Sequence, residues 1–190
     1  MTYDHTDPKV KKLQDMIEHI GDDPNREGLA ETPHRIIKSW KELYSGYNKD
    51  PKDVFKTFDS NGYDQIVLLK NCEIYSMCEH HMLPFVGKAH IAYIANGKVI
   101  GISKLARLME IYSRRLQIQE RIGEQITSDL MEHLNPLGAA CIIEAHHYCM
   151  RMRGVGKQNS IMTTSSLKGI FLEKSEAGYA ARNELMQLIN

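Results

Sequence analysis

The sequence predicts an α+β protein built on an antiparallel sheet, and the order of its apolar periods carries that expectation. From Tyr63 on, two strand-like runs are followed by two helical runs and then by two more strand-like runs. That order lacks the regular strand-helix alternation of a doubly wound sheet. A length of 190 residues, 42 % of them hydrophobic, suffices for one main domain with a sizeable core.

Residues 1–60 read as helical. Asp7 can cap, Pro8 suits a first helical position, and Val10, Leu13, Ile17 and Ile20 recur at helical spacing before Gly21. A second helix is expected from Thr32-Pro33, with Ile36, Ile37, Trp40, Leu43 and Tyr44 on one stripe, ending near Gly46. From Tyr63 the period shortens: strands are expected at Ile66–Leu69 and Phe85–Ile94, with Asn96-Gly97 turning the second back through Val99 and Ile100 as a hairpin. One helix opens at Ser103; another carries Ile118, Ile122, Ile126 and Leu130 and stops at Asn135-Pro136-Leu137-Gly138. A long strand from about Ala139 to Met152, a Gly154/Gly156 loop, a strand near Ile161–Phe171 and a helix after Ser175 complete the chain.

Lys plus Arg and Asp plus Glu are both 24, so no global field exists to hold nucleic acid or an anionic membrane, and any anion site is local. The start carries no apolar stretch of signal-peptide type, and no run approaches a membrane span, so a soluble, cytoplasmic protein is expected. Four cysteines in such a chain suggest thiols or metal ligands before disulfides.

Cys78-Glu79-His80-His81 places a thiol and an imidazole at the spacing that lets one turn present two ligands to zinc. Far downstream, His147 and Cys149 alternate on the expected strand and so share a face. Cys78, His81 and Cys149 make three protein ligands, the count of a catalytic zinc that keeps its fourth position for water and lowers the pKa of that water to about 7. His80 and His147 remain for proton transfer. Cys72 and Cys141 read as core, with Cys72 the reserve ligand, and His90, His133 and His146 as ordinary strand or surface residues.

Lys104 and Arg107 follow Ser103 in the first turns of a helix, the end where cations cost about a few tenths of a kcal/mol unless an anion is present. A triphosphate suits that end; a capping serine with two solvated cations is the plain alternative. Arg153 and Arg151 share strand parity with Cys149, and spacing does not choose between them. Gln119-Glu120 opens the next helix. Its carboxylate either serves the helix dipole or accepts from the ring N–H and exocyclic amine of guanine together.

Four segments, Cys-Glu-His-His-Met-Leu-Pro-Phe-Val-Gly-Lys at 78–88, Gly-Ile-Ser-Lys-Leu-Ala-Arg at 101–107, Gln-Ile-Gln-Glu-Arg at 117–121 and His-Tyr-Cys-Met-Arg-Met-Arg-Gly-Val at 147–155, resemble in order and spacing the zinc-dependent type I GTP cyclohydrolases. The resemblance extends from Arg26-Glu-Gly-Leu and Thr32-Pro-His-Arg to Gly169-Ile-Phe. It implies a tunnelling fold, an antiparallel sheet with two helices on one face, in residues 61–190 as one catalytic unit after the N-terminal helical segment 1–60. It implies zinc on Cys78, His81 and Cys149, acid/base work by His147 and His80, guanine held by Glu120 with Gln119 nearby, and the triphosphate of GTP held by Ser103, Lys104, Arg107 and Arg153. It further implies a homodecamer of two stacked pentamers with sites between subunits, and 7,8-dihydroneopterin triphosphate and formate as products. Leu116 stands where some members have proline, outside the chemistry.

Two rivals make different demands. A tunnelling-fold nitrile reductase would use a nicotinamide and a covalent cysteine and needs no zinc pair. A zinc-stabilised binding module would lack the acid/base residues or add a fourth protein ligand, yet His80, His147, Lys104 and Arg107 are all present.

Overall fold

The computed structural model describes residues 7–190, which divide along the chain into two compact units after Ser45. The expected N-terminal helical stretch therefore begins, for residues 1–6, outside the described residues. In the first unit, α1 (Pro8–His19) starts where the side chain of Asp7 accepts the Lys9 N–H at 2.9 Å, with Pro8 in the first turn where its missing N–H costs nothing. Val10, Leu13 and Ile17 are its buried stripe, as the period requires. The second helix, α2 (Thr32–Leu43), buries Pro33, and Trp40 meets Tyr44 edge to face at 6.2 Å.

The second unit is a five-stranded sheet in the order β5-β2-β3-β6-β7, where β2 is Ile66–Cys78, β3 Pro84–Ile94, β5 Leu116–Gln117, β6 Gly138–His147 and β7 Met162–Gly169. All pairs are antiparallel except the short β5, which runs parallel to β2. Alternation assigns the faces. Ala89, Ile91 and Tyr93 of β3 and Ala139, Cys141 and Ile143 of β6 pack against α3 (Ile102–Ser113) and α4 (Gln119–Leu134) in the larger core. Ala92 and Ile94 with Ala140 and Ile142 point the other way, to Ala181 and Leu185 of the C-terminal helix α6 (Glu176–Ile189). The antiparallel α+β class is the one expected from the order of elements, and two helices on one face is what the resemblance implies. α4 ends as its sequence indicates, at Asn135 in the left-handed region with φ 51°, and Ser175 caps α6 by accepting the Gly178 N–H at 3.1 Å.

Four local expectations need correction. The turn at Asn96-Gly97 does not fold β4 (Lys98–Ile100) back as a hairpin; β4 pairs with β1 (Thr57–Asp59) in a separate two-stranded sheet. Both edges of β3 are already filled by β2 and β6, so no ladder remains for a third partner, and the Ile100 N–H is met instead by the Tyr93 hydroxyl at 3.1 Å. Residues 46–60 hold β1 and a 3₁₀ turn at Pro51–Val54 instead of a continued helix. β2 is far longer than its first apolar run, and a bulge between Leu69 and Cys72, with Asn71 at φ 57°, carries it on to Cys78. The strand expected to reach Met152 stops at His147, and Tyr148–Arg151 forms the one-turn helix α5. The last pair of the β3–β6 ladder is Phe85 with His147; the next residue of β3 is Pro84, which has no N–H to offer.

The ladder also demands close contact. A Cβ on Gly87 would lie 1.9 Å from the Glu144 carbonyl oxygen, so only glycine lets β3 and β6 approach there.

His90 is 2 % exposed, and neither ring nitrogen finds a hydrogen bond among the described residues. It pairs across with Ile142, beside the Lys88–Glu144 ion pair at 3.2 Å and the bulge bearing Lys70. Burial, reinforced by Lys88, holds its pKa below the ordinary value, with Glu144 opposing. The folded chain therefore resists a proton that the unfolded chain accepts, and stability present at neutral pH falls as pH drops below about 6.5. In metal-free protein, His90→Leu is expected to flatten part of that decline, read as the difference in urea midpoint between about pH 7.5 and about pH 5.5.

Candidate active site

Three strand ends meet on one edge of the sheet. The chain leaves β2 at Cys78 and re-enters at β3 through a tight turn, in which the Cys78 N–H donates to the Leu83 carbonyl and the Met82 N–H to the Cys78 carbonyl, both at 2.8 Å. Met82 takes φ 52° to close it. The turn brings His81 Nδ1 to 3.7 Å and His80 Nδ1 to 3.9 Å from the Cys78 sulfur. Cys149 arrives from α5, and one donor atom each of Cys78, His81 and Cys149 lie within 4.8 Å of one another. Cys149 was expected on a strand sharing a face with His147; it reaches the site because the strand ends and the chain coils there.

Two thiols and an imidazole at this separation suit a soft divalent cation, and three donors leave room for a non-protein ligand. Burial pushes the Cys149 thiol pKa up, and the nearby Cys78 adds to the shift. A cation between them reverses that penalty by binding the thiolates. Cys72, the reserve ligand, is outside the cluster and packs against the core.

The turn is braced from α4. Arg121 grips the Glu79 carboxylate with both terminal nitrogens, Nη2 donating to Oε1 at 3.0 Å and Nη1 to Oε2 at 2.5 Å. This hydrogen bonding holds the Glu79 carboxyl below its usual range. The Glu79 N–H also donates to the Gln117 carbonyl at 3.0 Å, in β5. Neither Glu79 nor Arg121 was assigned a role from sequence. The available signal was an acid between two metal ligands and a base in Gln-Ile-Gln-Glu-Arg, but their partnership spans 42 positions.

His147 closes β6. Its ring stacks on Phe85, with centroids 4.6 Å apart and planes inclined by 5°, and its Nε2 lies 2.9 Å from Gln119 Oε1. Burial lowers its pKa, with Glu120 opposing. Gln119, at the start of α4, is 1 % exposed, whereas Glu120 beside it is exposed. Cys78, His80, His81, Gln119, Glu120, His147 and Cys149 line one pocket of about 190 Å³.

The cationic candidates lie apart. α3 is capped by Gly101, so Ser103 is its second residue and makes no cap bond. Lys104 and Arg107 line a different cavity, of about 490 Å³, with Asp50, Asp53 and Glu110. Arg153, exposed beyond α5, no longer shares a strand face with Cys149. Arg151 lies over the Tyr148 ring at 5.8 Å. Glu120 borders a third cavity, of about 580 Å³, with Thr164, Ser165 and Ser166. The structure thus unites the candidate metal donors, His80 and His147, Gln119 and Glu120, and leaves Lys104 and Arg107 in a pocket of their own.

A three-donor soft-metal site beside an oriented histidine, on an antiparallel α+β sheet, is the equipment of a metallohydrolase. The family model described as GTP cyclohydrolase I matches residues 10–190, and the chain belongs to that family. It is 56 % identical over 160 residues to GTP cyclohydrolase 1 of Wolinella succinogenes, covering 84 % of this chain and 86 % of that one. With the Chlorobium chlorochromatii protein of the same name it shares 47 % over 185 residues, 97 % of this chain and 81 % of the relative. With that of Caldanaerobacter subterraneus subsp. tengcongensis it shares 48 % over 184 residues, 96 % of each. A solved archaeosine synthase QueF-Like, in the apo form, aligns at 17 % identity and a TM-score of 0.44 over 55 % of this chain and 94 % of that one, too slight a likeness to add to the assignment.

The brace makes a prediction for the metal loop. Arg121→Met frees Glu79, and because partners behind a metal site tune its affinity, retention against a competing chelator is expected to fall roughly tenfold without loss of the folded sheet. Titration with a metal indicator and a circular dichroism spectrum check both halves.

Proposed function

We propose that Cys78, His81 and Cys149 hold zinc, and that the residues around them carry out the family's reaction: hydrolytic opening of the guanine imidazole ring of GTP, release of C8 as formate, and rearrangement and closure to 7,8-dihydroneopterin triphosphate. The observation that carries the reading is the convergence of these donors within 4.8 Å, in one pocket with His147 and Glu120. When bound, zinc supplies Lewis acidity, which makes a water molecule a competent nucleophile at neutral pH.

The protein's own groups do the rest. Glu120 accepts from the guanine ring N–H and exocyclic amine with its two oxygens, orienting the base in the pocket it borders. His147, held flat on Phe85, gives a proton to the ring nitrogen as the bond to C8 breaks. His80, with its side chain 65 % exposed at the mouth, exchanges protons with solvent. Ser103, Lys104, Arg107 and Arg153 bind the triphosphate, which offsets the cost of cations at the start of α3.

Because Lys104 and Arg107 line a pocket separate from the metal donors, one chain does not present the whole reading, and neighbouring chains of a homodecamer, two stacked pentamers, complete each site. The sheet supports assembly: among the described residues β7 is an edge strand with one side unpaired, ready to continue into a neighbour. Among the described residues no helix is long and apolar enough to cross a membrane, and the reading places the enzyme in the cytoplasm, with its nucleotide substrate.

Incubation of purified protein with GTP is expected to yield formate and, after oxidation and dephosphorylation, fluorescent neopterin in equal amounts, both abolished by a zinc chelator and restored by added zinc. Neither product from a folded, zinc-loaded oligomer would sink the reading.

A further inference from the structure

The resemblance places Gln119 beside the guanine, but its amide is already committed. Its nitrogen faces three acceptors that share its two hydrogens, the Ile143 carbonyl at 2.9 Å, the Met162 carbonyl at 3.1 Å and the Thr164 hydroxyl at 3.1 Å. Two of these partners are carbonyl oxygens, which only accept. Turning the amide over would set Oε1 against both, so the network itself fixes the orientation, independently of how the two amide atoms are named. With the nitrogen inward, Oε1 faces His147 Nε2 at 2.9 Å, and an amide oxygen only accepts. His147 Nε2 must therefore carry its hydrogen.

A neutral imidazole has one N–H, so Nδ1 is then bare; in the imidazolium form both nitrogens are protonated and Nε2 is unchanged. Among the described residues Nδ1 has no protein partner, and the ring lines the pocket with the metal donors. We infer that Gln119 is a positioning residue for His147, holding the ring with Nε2 protonated so that Nδ1 alone exchanges a proton with the substrate. The inference rests on His147 being the acid/base group of the proposed reaction, and it assigns Gln119 to the histidine instead of to guanine. The sheet enforces it: the carbonyls come from β6 and β7, Phe85 fixes the ring plane from β3, and Gln119 is 1 % exposed at the head of α4.

Two measurements test the inference, one of which needs no variant and no turnover. Neutron diffraction from deuterium-exchanged crystals of the zinc-loaded wild-type enzyme locates the ring hydrogens: deuterium on Nε2, directed at Gln119, is expected, and a bare Nε2 overturns the proposal even if GTP is turned over. In steady-state assays Gln119→Met is expected to lower kcat by roughly 10- to 100-fold, the range for a partner behind a reacting group, with KM for GTP changed less than about threefold. A raised KM with kcat kept would make Gln119 a guanine ligand and overturn the assignment. If Gln119→Met does not fold, the neutron map alone decides.

Discussion

The ladder between β3 and β6 ends at Phe85 opposite His147, because the following residue of β3 is Pro84 and has no hydrogen to give. Much of the site descends from that stop. Released from the sheet, the chain coils at Tyr148–Arg151, and the coil swings Cys149 toward the end of β2, whose Met77 pairs with the same Pro84. Cys78 follows Met77 directly, so the two thiols come from neighbouring strand ends, and the turn between β2 and β3 needs only to present His81. The last ladder pair supplies the stacked ring of His147, the histidine proposed for acid/base work. The Cys-His-Cys cluster and His147 are thus tied to a single backbone register, which Gly87, close against Glu144, keeps tight two residues away.

Around this frame the groups divide by burial. Those that orient are inside: Gln119 and Gln117 are 1 % and 2 % exposed, and both spend their amides on the protein. Those proposed to meet nucleotide are outside, with Glu120, Arg107 and Arg153 all exposed. The division follows from cost. A buried amide must have its partners, and once it has them it can serve as a fixed reference for a neighbouring ring; a charge without a protein partner stays in water.

Local features were legible in the sequence. Asp7-Pro8 and the Val10, Leu13, Ile17 stripe define α1, and the Ile122, Ile126, Leu130 series ending at Asn135 defines α4, since caps and periods act within a few residues. The grouping of Cys78, His81 and Cys149 was legible in part, because Cys78-x-x-His81 is a local spacing. What was not legible depended on partners far along the chain. The end of β6 is set by Pro84, more than sixty positions earlier, and local periodicity ran through it to Met152. The Asn96-Gly97 turn looks like a hairpin until β3 is seen to have both edges filled. The commitment of the Gln119 amide hangs on carbonyls at 143 and 162 that no motif encodes. The separation of Lys104 and Arg107 from the metal donors is likewise a matter of packing, invisible to spacing.

The most direct test of the account is anomalous diffraction at the zinc absorption edge from crystals of the zinc-loaded enzyme. It predicts one strong peak per chain, bonded to the sulfurs of Cys78 and Cys149 and a ring nitrogen of His81, with no fourth protein donor. A peak elsewhere, or a fourth ligand such as Cys72, would contradict a catalytic metal built on the ends of these strands.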